Sequence, residues 1–299
     1  MRRTGARGTV GPVRAREPDR SGFAVRDGVR LYFEVTGSGP VTVLLVAPWS
    51  ITHSRCWKQQ VPFLARHVRV VTHDARGNGR SDRPAGPAAY ADAELLGDAV
   101  AVLDEVGADA VVGVGLSMGG RTLLQLAAEH PDRVRGAMFV APALVLEERP
   151  SVLDFDAVRE TYRGWEKWNR HYWRRDLPGF AHHFFSEVFP EAHSTRQVEE
   201  SVAWTLQTSA DTLVDSIDPG LRPALTLEQT RELAGRVRCP SVVVHGTDDR
   251  IVPVATGQLL ARLIGCPIEL VEGGGHCVQA RHPVWFNHRV RRFVEQVTA

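Results

Sequence analysis

The sequence predicts a layered α/β protein, a mostly parallel sheet flanked by helices with a helical cap inserted after the sixth strand. Three observations carry this. Short, largely apolar runs rich in valine recur at residues 41–47, 68–72, 109–115, 134–141, 241–245 and 268–271, and a nearly continuous apolar run such as 41–47 is the signature of a strand buried on both faces. Helical patterns separate most of these runs, and such alternation implies parallel pairing with right-handed crossovers. The alternation stops after Pro142 and resumes only at Ser241, and the stretch between is helical in pattern and dense in aromatic residues.

Taken in order, the chain opens with a basic segment. Residues 1–20 carry six arginines against Glu17 and Asp19. Almost no apolar periodicity is present there, so residues 1–21 are expected to be a disordered arm. Arg2-Arg3 resembles the start of a twin-arginine signal, but no apolar stretch of signal-peptide length follows it. Residues 23–35 read as a hairpin turned by Asp27-Gly28. The run at 41–47 leads to a helix expected over about 54–66, and the run at 68–72 leads into Asp74-Ala75-Arg76-Gly77-Asn78-Gly79-Arg80-Ser81-Asp82. A helix over about 91–106 presents Leu95, Leu96, Val100, Leu103 and Val106 on one face. The strand 109–115 is followed by a glycine-flanked serine and by a helix that Pro131 stops. After the aromatic-rich insertion come a strand at 241–245, a helix at about 254–264, a strand at 268–271 and a closing helix from about 283 to 297. The core is thus expected over 22–143 and 234–299, and the cap over 144–233.

Composition narrows the function. With 299 residues, 43% hydrophobic and 24% charged, the chain is ordinary for a soluble protein with a large core. A formal net charge of +1 gives no reason to expect a nucleic-acid or membrane partner. Cys56, Cys239, Cys266 and Cys277 have neither metal-ligand spacing nor a disulfide pattern, and no run approaches the length of a membrane span. The expected location is cytoplasmic, with no cofactor and no metal. His171, His182 and His183 lack partners at metal spacing, and Cys277 is expected to be a packing residue.

The chemistry centres on Gly115-Leu116-Ser117-Met118-Gly119-Gly120. A strand ends, a serine follows between glycines, and a helix begins, which is the strand–turn–helix context of a nucleophile elbow. A serine at the tip of so sharp a turn sits in strained backbone. Side chains at 115 and 119 would collide across it, so glycine is the residue that fits. A serine hydroxyl needs a base, and the base needs a group to orient it. Both stand at the carboxyl ends of the last two strands, where parallel sheets place their sites. Gly246-Thr247-Asp248-Asp249-Arg250-Ile251-Val252-Pro253 follows one, and Glu272-Gly273-Gly274-Gly275-His276-Cys277 follows the other.

Over about residues 23–299 the chain resembles the α/β-hydrolase superfamily. The matching segments are Asp74-x-Arg76-Gly77-x-Gly79-x-Ser81-Asp82, the elbow at 115–119, Gly246-x-x-Asp249-x-x-Val252-Pro253 and Gly275-His276. The resemblance implies Ser117 as nucleophile, His276 as base and Asp249 as orienting acid. Only Asp249, not Asp248, has the superfamily's spacing from both Gly246 and Pro253. Where many members carry His-Gly after the strand at 41–47, this chain has Ala47-Pro48-Trp49-Ser50. Proline offers no N–H, so the matching oxyanion donor is the backbone of Trp49, with Met118 as the second.

Within the superfamily the sequence resembles esterases, enol-lactonases and ring-cleavage hydrolases without a residue that decides among them. Serine at 117, where dehalogenases and epoxide hydrolases of this fold use aspartate, argues against those two activities. Of the cap aromatics, Trp165, Trp168 and Trp173 are assigned to the substrate pocket. The sequence therefore points to a serine hydrolase of a carboxylic ester or lactone, acting through an acyl-enzyme on a small molecule with an apolar acyl part. The competing expectations are C–C bond hydrolysis or acyl transfer on the same fold and, outside enzymes, a small-molecule receptor with vestigial activity.

Overall fold

In the computed structural model, which describes residues 14–146, 154–218 and 220–299, the apolar runs pair into one sheet of eight strands. The chain enters through the hairpin β1 (Arg20–Arg26) and β2 (Val29–Thr36). Asp27 and Gly28 turn it with positive φ of 50° and 80°, the two-residue geometry that Asp-Gly favours. Then come β3 (Thr42–Val46), β4 (Arg69–His73), β5 (Val111–Leu116), β6 (Val134–Val140), β7 (Ser241–Gly246) and β8 (Ile268–Val271). The spatial order is β1-β2-β4-β3-β5-β6-β7-β8. The β1–β2 and β2–β4 pairs are antiparallel, and every other pair is parallel.

That order reverses once. From β3 the chain moves outward to β4, then returns past β3 to β5. Loops leaving two such strands diverge, and a crevice opens at their carboxyl ends. The loop after β3 carries Trp49, and the turn after β5 carries Ser117.

The helices of the first half are α1 (Val61–Leu64), α2 (Asp92–Val106) and α3 (Met118–Glu129). The insertion between β6 and β7 contributes α4 (Arg170–Arg175), α5 (Leu177–Val188), α6 (Thr195–Thr205), α7 (Ala210–Ile217) and α8 (Leu227–Arg236). The last are α9 (Val254–Ile264), α10 (Val278–Arg281) and α11 (Pro283–Thr298). Strand side chains alternate between the two faces of the sheet. Val43, Leu45, Val112 and Val114 meet α11 and the aromatic insertion, whereas Leu44, Val46, Val111 and Val243 meet α2, α3, α8 and α9. Among the described residues no helix is long and apolar enough to cross a membrane.

Four local expectations change. The helix expected over 54–66 is a 3-10 turn, Ser54–Trp57, followed by the single turn of α1. Pro62 has no N–H to give to a preceding carbonyl, so it opens a new turn rather than continuing the old one. The expected arm, 1–21, overlaps ordered chain at its end. Arg20 and Ser21 already pair with β2, and Asp19 accepts the Gly37 N–H at 2.6 Å; residues 1–13 lie outside the described residues. Helix α8, placed mostly in the cap by sequence, packs on α3 and α9 instead. The short α10 was not foreseen.

The segment after β4 is a brace. Asp74 accepts the Ser54 hydroxyl at 2.6 Å and the Arg80 N–H at 2.9 Å. Gly79, at φ 58°, leaves room for this; a Cβ there would lie 2.2 Å from the carboxylate. Arg76 forms a two-pronged pair with Asp98 at 2.6 Å on both prongs, its side chain 3% exposed and that of Asp98 2%. The Arg76 carbonyl accepts the Ser50 hydroxyl at 2.8 Å, which supports the Trp49 loop from below. Removing Asp98 leaves buried Arg76 with the partly exposed Glu94, at 3.4 Å, as its remaining counter-charge. Asp98→Ala is therefore expected to lower unfolding stability by about 3–5 kcal/mol, read as a lower urea midpoint at unchanged m-value.

Candidate functional site

The turn after β5 has the geometry that the glycine spacing implies. Ser117 sits at φ 54°, ψ −119°, a region costly for a residue with a side chain. Its backbone is fixed on both sides, with its N–H donating to Val140 O at 2.9 Å and its carbonyl accepting from Gly120 and Ala143 at 2.9 and 3.0 Å. The flanking glycines are required by space. A Cβ on Gly115 would stand 2.5 Å from Gly119 O, and one on Gly119 would stand 2.5 Å from Ala47 O and 2.6 Å from Val46 O. The second contact matters beyond the turn, because it lets the end of β3 press against the first turn of α3. Trp49 and Met118 are thereby brought to one cavity.

Asp249 and His276 meet at the ends of β7 and β8. His276 Nδ1 lies 2.8 Å from Asp249 Oδ2, and both side chains are buried. A carboxylate there accepts the Nδ1 proton, so Nε2 carries a lone pair. The other oxygen, Oδ1, accepts the N–H groups of Ile251 and Val252 at 2.8 and 2.9 Å. His245, wholly buried, brings Nε2 to 3.2 Å from Oδ2 and to 2.9 Å from Val252 O. Burial pushes the Asp249 carboxyl up, but His276, His245 and the loop N–H groups outweigh it and hold the group well below the usual carboxylate range. The stability lent by its ionised form is complete above about pH 4, the unfolded value, and is lost only at more acid pH.

The adjacent acids lie in different surroundings: Asp248 is exposed, and its carboxylate accepts the Thr247 hydroxyl at 3.2 Å. Glycine again permits the approach of the two loops, since a Cβ on Gly246 would lie 2.1 Å from Gly274 O.

Ser117, His276, Trp49 and Met118 line a cavity of about 570 Å³. Its inner walls are largely aromatic, with Trp165, Trp168, Phe184 and Phe189 from the insertion facing Trp49. Polar residues gather at another side, where Lys58 pairs with Glu200 and Arg196 stands 3.3 Å from the same carboxylate. Trp173 is the exception among the assigned tryptophans. It is fully buried, donates its indole N–H to Lys167 O at 2.9 Å and packs behind Trp49 and Trp168 at ring distances of 5.6 and 5.3 Å. Helical periodicity marks a residue as inward-facing, but it does not tell a core wall from a cavity wall. Cys277 also borders the cavity, and burial pushes its thiol up to about 12, which keeps it protonated and weakly nucleophilic.

Two residues escaped the sequence reading. His245 ends a continuous apolar strand, so nothing local distinguishes it from a core histidine. Glu191, between α5 and α6, accepts the Gly275 N–H at 2.8 Å and so holds the His276 loop from the insertion side. No motif encodes that contact.

A family model described as alpha/beta hydrolase fold matches residues 51–283. Among curated proteins, the chain is 28% identical over 278 residues to a 2-hydroxymuconate semialdehyde hydrolase of a Pseudomonas species, a match covering 91% of this chain and 93% of that one. It is 24% identical over 274 residues to a 3-oxoadipate enol-lactonase of Acinetobacter baylyi, covering 90% and 94%. Among solved structures, one described as an N-acyl homoserine lactone degrading enzyme superposes with a TM-score of 0.74 at 27% identity, covering 91% of this chain and all of the other. With the parallel sheet, the strained serine turn and the buried Asp249–His276 pair, this match makes the chain a member of the α/β-hydrolase fold family.

Proposed function

We propose that the chain is a serine hydrolase that cleaves a carboxylic ester or lactone with an apolar acyl part. The observation that carries the reading is that strained Ser117 and His276, whose Nδ1 is 2.8 Å from Asp249 Oδ2, line one aromatic-walled cavity. His276 Nε2 takes the Ser117 proton as the oxygen attacks the acyl carbon, and Asp249 stabilises the imidazolium. The carbonyl oxygen becomes negative and is met by the N–H groups of Trp49 and Met118. The latter opens α3, whose amino-terminal dipole favours negative charge. His276 returns the proton to the leaving oxygen. Water, activated by the same nitrogen, then releases the acyl group. The enol-lactonase and acyl-lactone-degrading relatives support a lactone among the substrates, and the aromatic walls support an apolar acyl part.

A fluorophosphonate probe is expected to label intact protein on the peptide bearing Ser117, and Ser117→Ala is expected to lower kcat by about 10⁴-fold or more without unfolding. A panel of p-nitrophenyl esters of rising acyl length, run beside lactones and a diketone, identifies the substrate class. Turnover confined to the diketone overturns the ester reading.

Asp249→Asn keeps the shape of the site but presents an amide N–H₂ to histidine donors. Its kcat is expected to fall by about 10²–10⁴-fold, against about tenfold or less for the exposed Asp248→Asn. Steady-state kinetics of the two purified variants on one ester decide the assignment.

Trp165→Ala and Trp168→Ala, at the cavity wall, are expected to reorder preference among acyl chains. Trp173→Ala, behind that wall, is expected instead to cost about 3–5 kcal/mol of stability, measured by denaturant unfolding beside the acyl-chain profile.

A further inference from the structure

The indole of Trp49 is held by the insertion. Its Nε1 donates to Ser216 Oγ at 2.7 Å, across 167 residues of sequence, and both residues are buried. Ser216 lies in the last turn of α7, and its own hydroxyl proton goes to Leu213 O at 2.8 Å. The oxygen is therefore oriented with a lone pair toward the indole. Ser216 also borders the same small void as Pro48, Trp49, Met118 and Gly119, directly behind the two proposed oxyanion donors. A second contact lies next to it, where the Thr205 hydroxyl of α6 shares its proton between Ile51 O and Ser201 O, both at 3.0 Å.

We propose that Ser216 is a positioning residue for the oxyanion site, acting through Trp49. This rests on the serine-hydrolase reading above. Pro48 fixes the backbone dihedral just before Trp49, and the ring of Trp49 is clamped between Trp168, Trp173 and Phe184 at 5.3, 5.6 and 5.9 Å. Those contacts are non-directional and allow the ring to slide or rotate. The hydrogen bond sets the remaining freedom, and with it the direction of the Trp49 backbone N–H. Donors of an oxyanion site act over a range of only a few tenths of an ångström, so a small displacement is felt in the transition state and hardly in ground-state binding.

The test compares Ser216→Ala, Ser216→Thr, Trp49→Phe and the Ser216→Ala/Trp49→Phe double variant of the full chain. Ser216→Ala and Trp49→Phe are each expected to lower kcat on a short ester by about tenfold with KM changed less than about twofold, and the double variant to be no worse than the poorer single one. Ser216→Thr keeps the hydroxyl and is expected to retain most of the rate. In the nitrogen–proton NMR spectrum, the indole resonance lost in Trp49→Phe is expected to be protected from solvent exchange in the native protein and in Ser216→Thr, and to lose protection in Ser216→Ala. Protection that survives Ser216→Ala overturns the latch. Protection lost at unchanged kcat, or a rise in KM alone, overturns its coupling to the reaction. If Ser216→Ala does not fold, Trp49→Phe against Ser216→Thr supplies the kinetic comparison, and an indole that exchanges freely in the native protein overturns the latch. Failure of fluorophosphonate to label Ser117 in the native protein defeats the hydrolase reading, while the exchange measurement still decides the latch.

Discussion

The close approach of the end of β3 to the first turn of α3 is the constraint on which the site depends. Two backbone segments meet there with no side chain between them, because positions 115 and 119 are glycine. Ser117 bears the conformational consequence, a positive φ of 54° that costs on the order of 1–3 kcal/mol. Such backbone persists only where its surroundings over-determine it. Here β5 runs in the middle of the sheet between β3 and β6, and the Ser117 N–H and carbonyl are both bonded to segments outside the turn. The same contact fixes where Trp49 stands relative to Met118. The positions of Ser117, Trp49 and Met118 are thus consequences of one packing arrangement.

The second half of the site depends on a charge. A carboxylate as buried as Asp249 is stable only when its oxygens are fully engaged. His276 donates to Oδ2, His245 brings its Nε2 to 3.2 Å from the same oxygen, and two loop N–H groups donate to Oδ1. The contact with Asp249 explains why β7 carries a polar residue, His245, one position before its end inside an apolar core. It helps hold the carboxylate from below, so that His276 above is oriented without being the group's sole partner. His245 also reaches Val252 O, which ties the acid-bearing loop back onto its own strand. Geometry and electrostatics here are one arrangement.

How much of this was legible in the sequence follows from how local each constraint is. The elbow, the acid loop and the histidine loop were legible because each depends on glycines at fixed short spacing, and the backbone reason for those glycines operates within a few residues. The order of strands and helices was legible from periodicity. The helix expected over 54–66 failed because Pro62 outweighs the apolar pattern. Trp173 failed because burial behind a wall and exposure on it give the same helical pattern. Glu191 was not legible at all, since its partner lies 84 residues away and nothing local marks the pairing.

The insertion therefore does more than roof the cavity. Glu191 bonds the loop that carries His276, and Pro190 packs against it so closely that a Cβ on Gly275 would lie 2.5 Å from the proline ring. Thr205 bonds the loop that carries Trp49. The loops at the carboxyl edge of the sheet are thus held from beneath by the Asp74–Ser81 brace and from above by the insertion. Changes in the cap that reshape the aromatic wall also pull on the hydrogen bonds at the ends of α6 and α7. On the hydrolase reading proposed above, acyl preference and turnover are consequently linked through shared backbone, and substitutions at Trp165, whose ring packs on His183 and Phe184, are the ones that separate them.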